Sequence, residues 1–216
     1  MPPATPKPLP LILASGSSYR RMLLEKIGLH PHCHATNIDE SPLPNETATA
    51  LARRLSISKA LSAAETLPCA LIIASDQCAE LDGQILGKPG TRARAQNQLS
   101  KCSGREVLFH TGICLLNSQT GRQHISVETV TVAFRTLNSL EIEHYTEREP
   151  ALDCAGSFKA EGLGISLFRH IHSDDPNTLI GLPLIRLIDF LKEEDYPPTI
   201  NTQRDSSPTI GNKPEK

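Results

Sequence analysis

Residues 9–28 read LPLILASGSSYRRMLLEKIG: an apolar run, a turn of serines around one glycine, then two adjacent arginines opening a segment with apolar residues at helical spacing. The pattern predicts a strand over 9–14 and a helix over 18–27, with Met22, Leu23 and Ile27 inward and Gly28 as its stop. At the joint, the amides of Gly16, Ser17 and Ser18 lie at a helix N-terminus, where unpaired donors and the positive end of the dipole favour an anion. Arg20 and Arg21 fall in the first turn, where that dipole disfavours a cation, so they point to a ligand. The alternative is an ordinary turn with solvated arginines.

Working outward, residues 31–46 predict a short strand and a proline-bounded loop, and 46–65 an amphipathic helix with Ala48, Leu51, Leu55, Ile57, Ala60 and Leu61 available for burial. ALIIAS (70–75) reads as a buried strand that delivers Asp76 and Gln77 to its end. Asp82-Gly83 predicts a hairpin and 91–104 a helix stopped by Gly104; SQTG (118–121) joins the arms of a long hairpin. A helix capped by Asn138 or Ser139 precedes Pro150, and a last one carries Pro183 in its first turn. Strands and helices alternate without a strict βαβ period, which predicts one α/β domain with a mixed sheet and helices packed around it.

The chain has 216 residues, enough for one sizeable core over 9–195. Residues 1–8, with four prolines, predict an extended arm, and 196–216, without apolar periodicity, a loose tail. Lysine and arginine (22) nearly balance aspartate and glutamate (24), so no overall basic field draws the chain to nucleic acid or membrane. Apolar runs are short and the N-terminus has no signal-peptide core, which predicts a cytosolic protein. Six cysteines without CxxC spacing predict reduced core thiols rather than disulfides or a zinc site. His30, His32, Cys33 and His34 are set against a metal site by alternating strand faces.

Several residues carry possible chemistry, each against a plainer reading. Asp76 at a strand end could hold a divalent cation or accept a proton from water, or simply form a turn. Asp39 and Glu40 in the proline-bounded loop could add metal or water contacts, or be solvated. Lys59 and Lys88 could meet phosphates, or lie free on the surface. AGSFKAEGLG (155–164) sets Lys159 and Glu161 among glycines that permit close backbone approach, or forms a flexible loop.

Taken in order, LILASGSSYRRMLLEKIG, IDESP, LSISKA, IIASDQ, LDGQILGKP, SGREVLFHTG, CAGSFKAEGLG and DDPNTLIGLPL resemble the Maf family of nucleoside triphosphate pyrophosphatases, from about Leu9 to about Leu191. The resemblance implies an α/β (mixed α+β), Maf/ITPase-like fold: a central mixed sheet, flanking helices and a cleft between two lobes. It implies a cytosolic enzyme, often a homodimer, that cuts a nucleoside triphosphate between its α and β phosphates with Mg2+ or Mn2+. Asp76 matches the catalytic acid, proposed as proton acceptor. Ser15, Arg20, Glu40, Lys59 and Lys88 match polar and charged active-site positions, with Asp76 and Glu40 as the metal carboxylates.

Three positions divide the family by substrate. Tyr19, Gln77 and Glu161 are similar to the 7-methyl-GTP pyrophosphatase subfamily, which has an aromatic residue, glutamine and glutamate there; that subfamily usually has proline and tryptophan where this chain has Ser18 and Tyr19. Methylation at N7 leaves guanine positively charged, so an aromatic face offers cation–π attraction and a carboxylate can accept the N1 and N2 hydrogens. Lys159 completes the substrate-binding set. Alternatives are a pyrophosphatase for dTTP, UTP or CTP, and a nucleotide-binding regulator of cell division.

Overall fold

The computed structural model describes residues 9–196; the proposed arm and all but the first residue of the proposed tail lie outside them. Seven strands form one mixed sheet: β1 (Leu11–Leu13), β2 (His32–Cys33), β3 (Leu71–Leu81), β4 (Gln84–Leu86), β5 (Glu106–Asn117), β6 (Gln123–Phe134) and β7 (Phe168–His172). The order is β2-β1-β3-β5-β6-β7, with β4 on β3. β1 runs parallel to β2 and β3, and the remaining pairings are antiparallel. Five helices, α1 (Ser18–Lys26), α2 (Ala48–Ala64), α3 (Arg92–Cys102), α4 (Ser139–Arg148) and α5 (Leu184–Glu193), flank it. No described helix is long and apolar enough to cross a membrane.

The near-continuous apolar runs of β1, β3 and β5 are what a sheet covered on both faces requires. Leu11, Leu13, Leu71, Ile73, Ile113 and Leu115 pack with α1 and α5, while Ile12, Ile72, Ala74, Cys114 and Leu116 pack with α2. Gly112 lets the α2 backbone rest on β5, since a Cβ there would stand 2.2 Å from the Ala52 carbonyl oxygen. At the other end, Phe109, Phe134, Phe158 and Phe168 meet edge to face at 4.6–5.8 Å beside α3 and α4. Such pairs add about 0.5–1.5 kcal/mol each beyond their buried area.

Local signals set the helix starts. Ser17, Thr47, Thr91 and Asn138 accept backbone N–H groups at the heads of α1 to α4, caps that contribute about 1 kcal/mol apiece. α5 is capped from outside itself: Asp175 Oδ2 accepts the Ile185 N–H at 2.8 Å, and Pro183 lies one residue before the helix.

Several expectations change. β3 does not end at Ser75; it continues to Leu81 because β5 pairs with it from Leu71 to Glu80, so Asp76 lies mid-strand. The buried stripe of α2 runs through Leu55, Ser56, Lys59, Ala60 and Ala63, leaving Ile57 half-buried and Leu61 exposed. In α1, Leu23 and Leu24 are buried rather than Met22. β7 was not legible as a strand. Three cysteines are in the core, but Cys33 and Cys69 are exposed and Cys154 is partly covered; all six are free thiols. Tyr196, assigned to the tail by composition, packs against the α1–α5 cluster.

Candidate active site

A cleft of about 600 Å³ opens where the turn before α1, the loop before α2, the middle of β3, the β4–α3 connection, residues 153–161 and residues 179–181 converge. All ten residues assigned to the site line it, whereas Arg21 and Asp39, also raised as candidates from the sequence, do not. Alternation along β3 explains much of the arrangement. Asp76 shares the α2 face with Ile72 and Ala74 and so meets Lys59 of the buried α2 stripe; Ser75 and Gln77 turn to the opposite face and meet residues 178–181.

Lys59 Nζ lies 2.5 Å from Asp76 Oδ1 and 2.6 Å from Glu40 Oε1, and Lys88 Nζ is 3.7 Å from Glu40 Oε2. The Lys59 and Asp76 side chains are only 9% and 12% exposed, so this ammonium is a buried counter-ion rather than a surface charge. Burial alone would raise the Glu40 carboxyl, but the Lys59 hydrogen bond and charge, aided by Lys88 and Arg20, outweigh it and hold the group below the usual carboxylate range. Asp39 takes no part: its carboxylate accepts the Ser41 N–H in an exposed loop.

In the turn before α1, the Ser17 N–H is already donated to Ser15 Oγ at 3.1 Å. The anion-binding amides expected there are therefore reduced to those of Gly16 and Ser18. Arg20 donates from Nη1 to Ser15 Oγ at 3.2 Å and from Nε to the Gly181 carbonyl at 2.9 Å, which aims the guanidinium into the cleft. Burial lowers its pKa, against the pull of Asp76 and Glu40. Arg21 instead pairs with Glu25 at 2.7 Å on the exposed face, the plainer of its two readings.

Gln77 is partly committed. Its Nε2 donates to Thr111 Oγ1 and to the Thr178 carbonyl, both at 2.9 Å, which leaves the amide oxygen as the atom free for a ligand. Lys159 Nζ stands over the Tyr19 ring, 5.9 Å from its centroid, and hydrogen bonding to Tyr19 raises the lysine pKa. Two cysteines line the cleft, Cys78 and Cys154, and burial pushes both thiols up to about 12. Thiolate chemistry is therefore not what this cleft is built for.

Asp76 and Glu40 are hard oxygen donors converging on one point. That suits Mg2+ or Mn2+, which typically take one or two carboxylates and complete their shell with substrate phosphates and water. Among the described residues no group of three histidine, cysteine or acidic side chains could form a closed metal cage, the His30–His34 segment included.

The same pieces occur in known proteins. A family model described as Maf-like protein matches residues 10–194. The chain belongs to the Maf family. Among relatives of this Maf chain, a Nitrosococcus oceani protein named 7-methyl-GTP pyrophosphatase is 48% identical over 193 residues, 89% of this chain and 97% of that one. One of the same name from Xanthomonas oryzae pv. oryzae is 52% identical over 186 residues, covering 86% and 97%. Of solved structures, the Staphylococcus aureus Ham1 protein covers 85% of this chain and 98% of its own at 15% identity, with a TM-score of 0.49.

Sequence reading missed Ser75 and Gly181. Ser75 Oγ donates to the Gly112 and Gly181 carbonyls at 2.8 and 2.9 Å, and so ties residues 179–181 to β3. The signal was the glycine of LIGLPL, which adopts φ +112° at the point where the chain must turn toward α5.

Proposed function

We propose that this Maf protein is a nucleoside triphosphate pyrophosphatase that cleaves 7-methyl-GTP to 7-methyl-GMP and diphosphate in the cytoplasm. The observation that carries the reading is that one cleft holds the Asp76–Lys59–Glu40 charge cluster, the turn before α1 with Arg20, and the Tyr19 ring with Glu161. The names of the relatives agree with it.

In this reading the Gly16 and Ser18 amides and Arg20 bind the phosphates. Asp76 accepts a proton from the water that attacks the α phosphorus, and Lys59 and Lys88 neutralise the charge that grows on the departing diphosphate. A divalent ion held by Asp76 and Glu40 would supply Lewis-acid polarisation of the phosphate oxygens. Tyr19 offers a ring face to the cationic base, and Glu161 accepts the N1 and N2 hydrogens.

The test is diphosphate release from 7-methyl-GTP, GTP, dTTP, UTP and CTP, with and without Mg2+, by wild type and Asp76→Asn. Release led by 7-methyl-GTP and reduced ~10²–10⁴-fold in the variant is expected for loss of a general base. Release led by a pyrimidine nucleotide overturns the base assignment but keeps the chemistry. No release from any nucleotide by folded protein favours a binding regulator.

A further inference from the structure

One ammonium stands between the two carboxylates that would hold a metal. Lys59 Nζ is within 2.6 Å of both Asp76 Oδ1 and Glu40 Oε1, closer than any other cation to either group. The charges around that point are three cations, Lys59, Lys88 and Arg20, against two carboxylates. A free divalent cation would enter a locally positive site and would also have to dislodge a buried lysine that has no other acidic partner among the described residues. A triphosphate changes both terms: its negative charge offsets the excess, and its oxygens offer Lys59 a new acceptor.

We propose that Lys59 is an internal counter-ion that keeps free metal out, so that a divalent cation binds Asp76 and Glu40 only together with the triphosphate, when Lys59 transfers from the carboxylates to phosphate oxygens. The inference rests on the pyrophosphatase reading above. It assigns Lys59 an ordering role in addition to its charge in the reaction.

The test is Mn2+ binding, read from the electron paramagnetic resonance signal of the free ion, to the full chain. It is made alone and with the α,β-methylene analogue of 7-methyl-GTP, whose P–C–P linkage is not cleaved. Wild type should bind Mn2+ weakly alone and much more tightly with the analogue, counted beyond the Mn2+ that the same concentration of analogue takes up without protein. Lys59→Met should bind Mn2+ alone about tenfold or more tighter than wild type, the effect of deleting a unit charge a few ångströms away at a protein-like dielectric constant. Circular dichroism checks the variant's fold; if it does not fold, the wild-type comparison decides alone. Tight Mn2+ binding by wild type without the analogue, or a folded Lys59→Met protein no tighter than wild type, overturns the proposal. Calorimetry of the analogue separates the two readings. Analogue that binds without changing Mn2+ affinity removes the ordering role only, whereas analogue that binds neither with nor without Mn2+ removes the pyrophosphatase reading and this inference with it.

Discussion

Arg20 and Gly181, 161 residues apart in the chain, are joined by a 2.9 Å hydrogen bond from the arginine Nε to the glycine carbonyl. Ser75 donates to the same oxygen, so one carbonyl links α1, β3 and the turn before α5 at the wall of the cleft. The turn depends on φ +112°, and a Cβ at Gly181 would sit 3.5 Å from Arg20 Nε.

Gly181→Ala should therefore destabilise the fold by about 1–3 kcal/mol, the usual range for a non-glycine residue held in such a region. It should also raise KM for the triphosphate, because the guanidinium loses its aim. Thermal melts and steady-state kinetics check both. A destabilised variant with wild-type KM would mean that the carbonyl does not position Arg20.

Gly112→Ala tests how α2 is seated. The added methyl meets the Ala52 carbonyl oxygen, so helix or strand must shift, a kind of overpacking that typically costs about 1–3 kcal/mol. Lys59 rides on the same helix, so kcat should fall along with the melting midpoint. Both quantities at wild-type values would show that the contact is soft.

Base selectivity should divide between Tyr19 and Glu161. Cation–π attraction is worth about 0.5–2 kcal/mol, so Tyr19→Ala should reduce the preference for 7-methyl-GTP over GTP by about 2- to 30-fold in kcat/KM, while Tyr19→Trp should increase it. Glu161→Gln should also lower that ratio, because the carboxylate's negative charge favours the cationic base over neutral guanine and the amide carries no charge. A ratio unmoved by all three changes would place base recognition elsewhere in the cleft.

His110 gives a pH signature. It is 7% exposed, Nδ1 lies 3.0 Å from Thr129 Oγ1, and Nε2 has no hydrogen-bond partner among the described residues. Burial lowers its pKa below the ordinary value, opposed by Glu80. On acidification through about 6.5 the unfolded chain takes up this proton before the folded one does, so stability falls between that pH and the lowered native value. Urea unfolding of wild type from about pH 7.5 to 5.5 should show the decline, and His110→Gln should flatten it. Equal slopes in the two proteins would remove His110 as the cause.

Much of the architecture was legible because it rests on neighbouring residues. The cap at Asn138, one of the two positions the sequence offered, the Asp82-Gly83 turn with both residues at positive φ, and the doubly apolar runs of β1, β3 and β5 are local signals with local causes. Elements failed to read where partners override local pattern. The polar Asp76-Gln77 pair looks like a strand end, yet β5 supplies the pairing that carries β3 on to Leu81. β7 is short and mostly exposed, and it exists because β6 offers it an edge.

The same division holds at the site. By itself the sequence determined which side chains to look for: ordered motifs led to ten residues, and all ten line one cleft. Only the tertiary structure decided what they do to one another. It set Lys59 between Asp76 and Glu40, because α2 buries a lysine on the stripe that faces the middle of β3. It spent the Gln77 amide hydrogens on residues 111 and 178, and it turned Arg20 toward the Gly181 carbonyl while leaving Arg21 in solvent. Caps and turns are short-range and write themselves into adjacent residues, whereas ion pairs and shared carbonyls depend on distances between segments that only the packed sheet brings together.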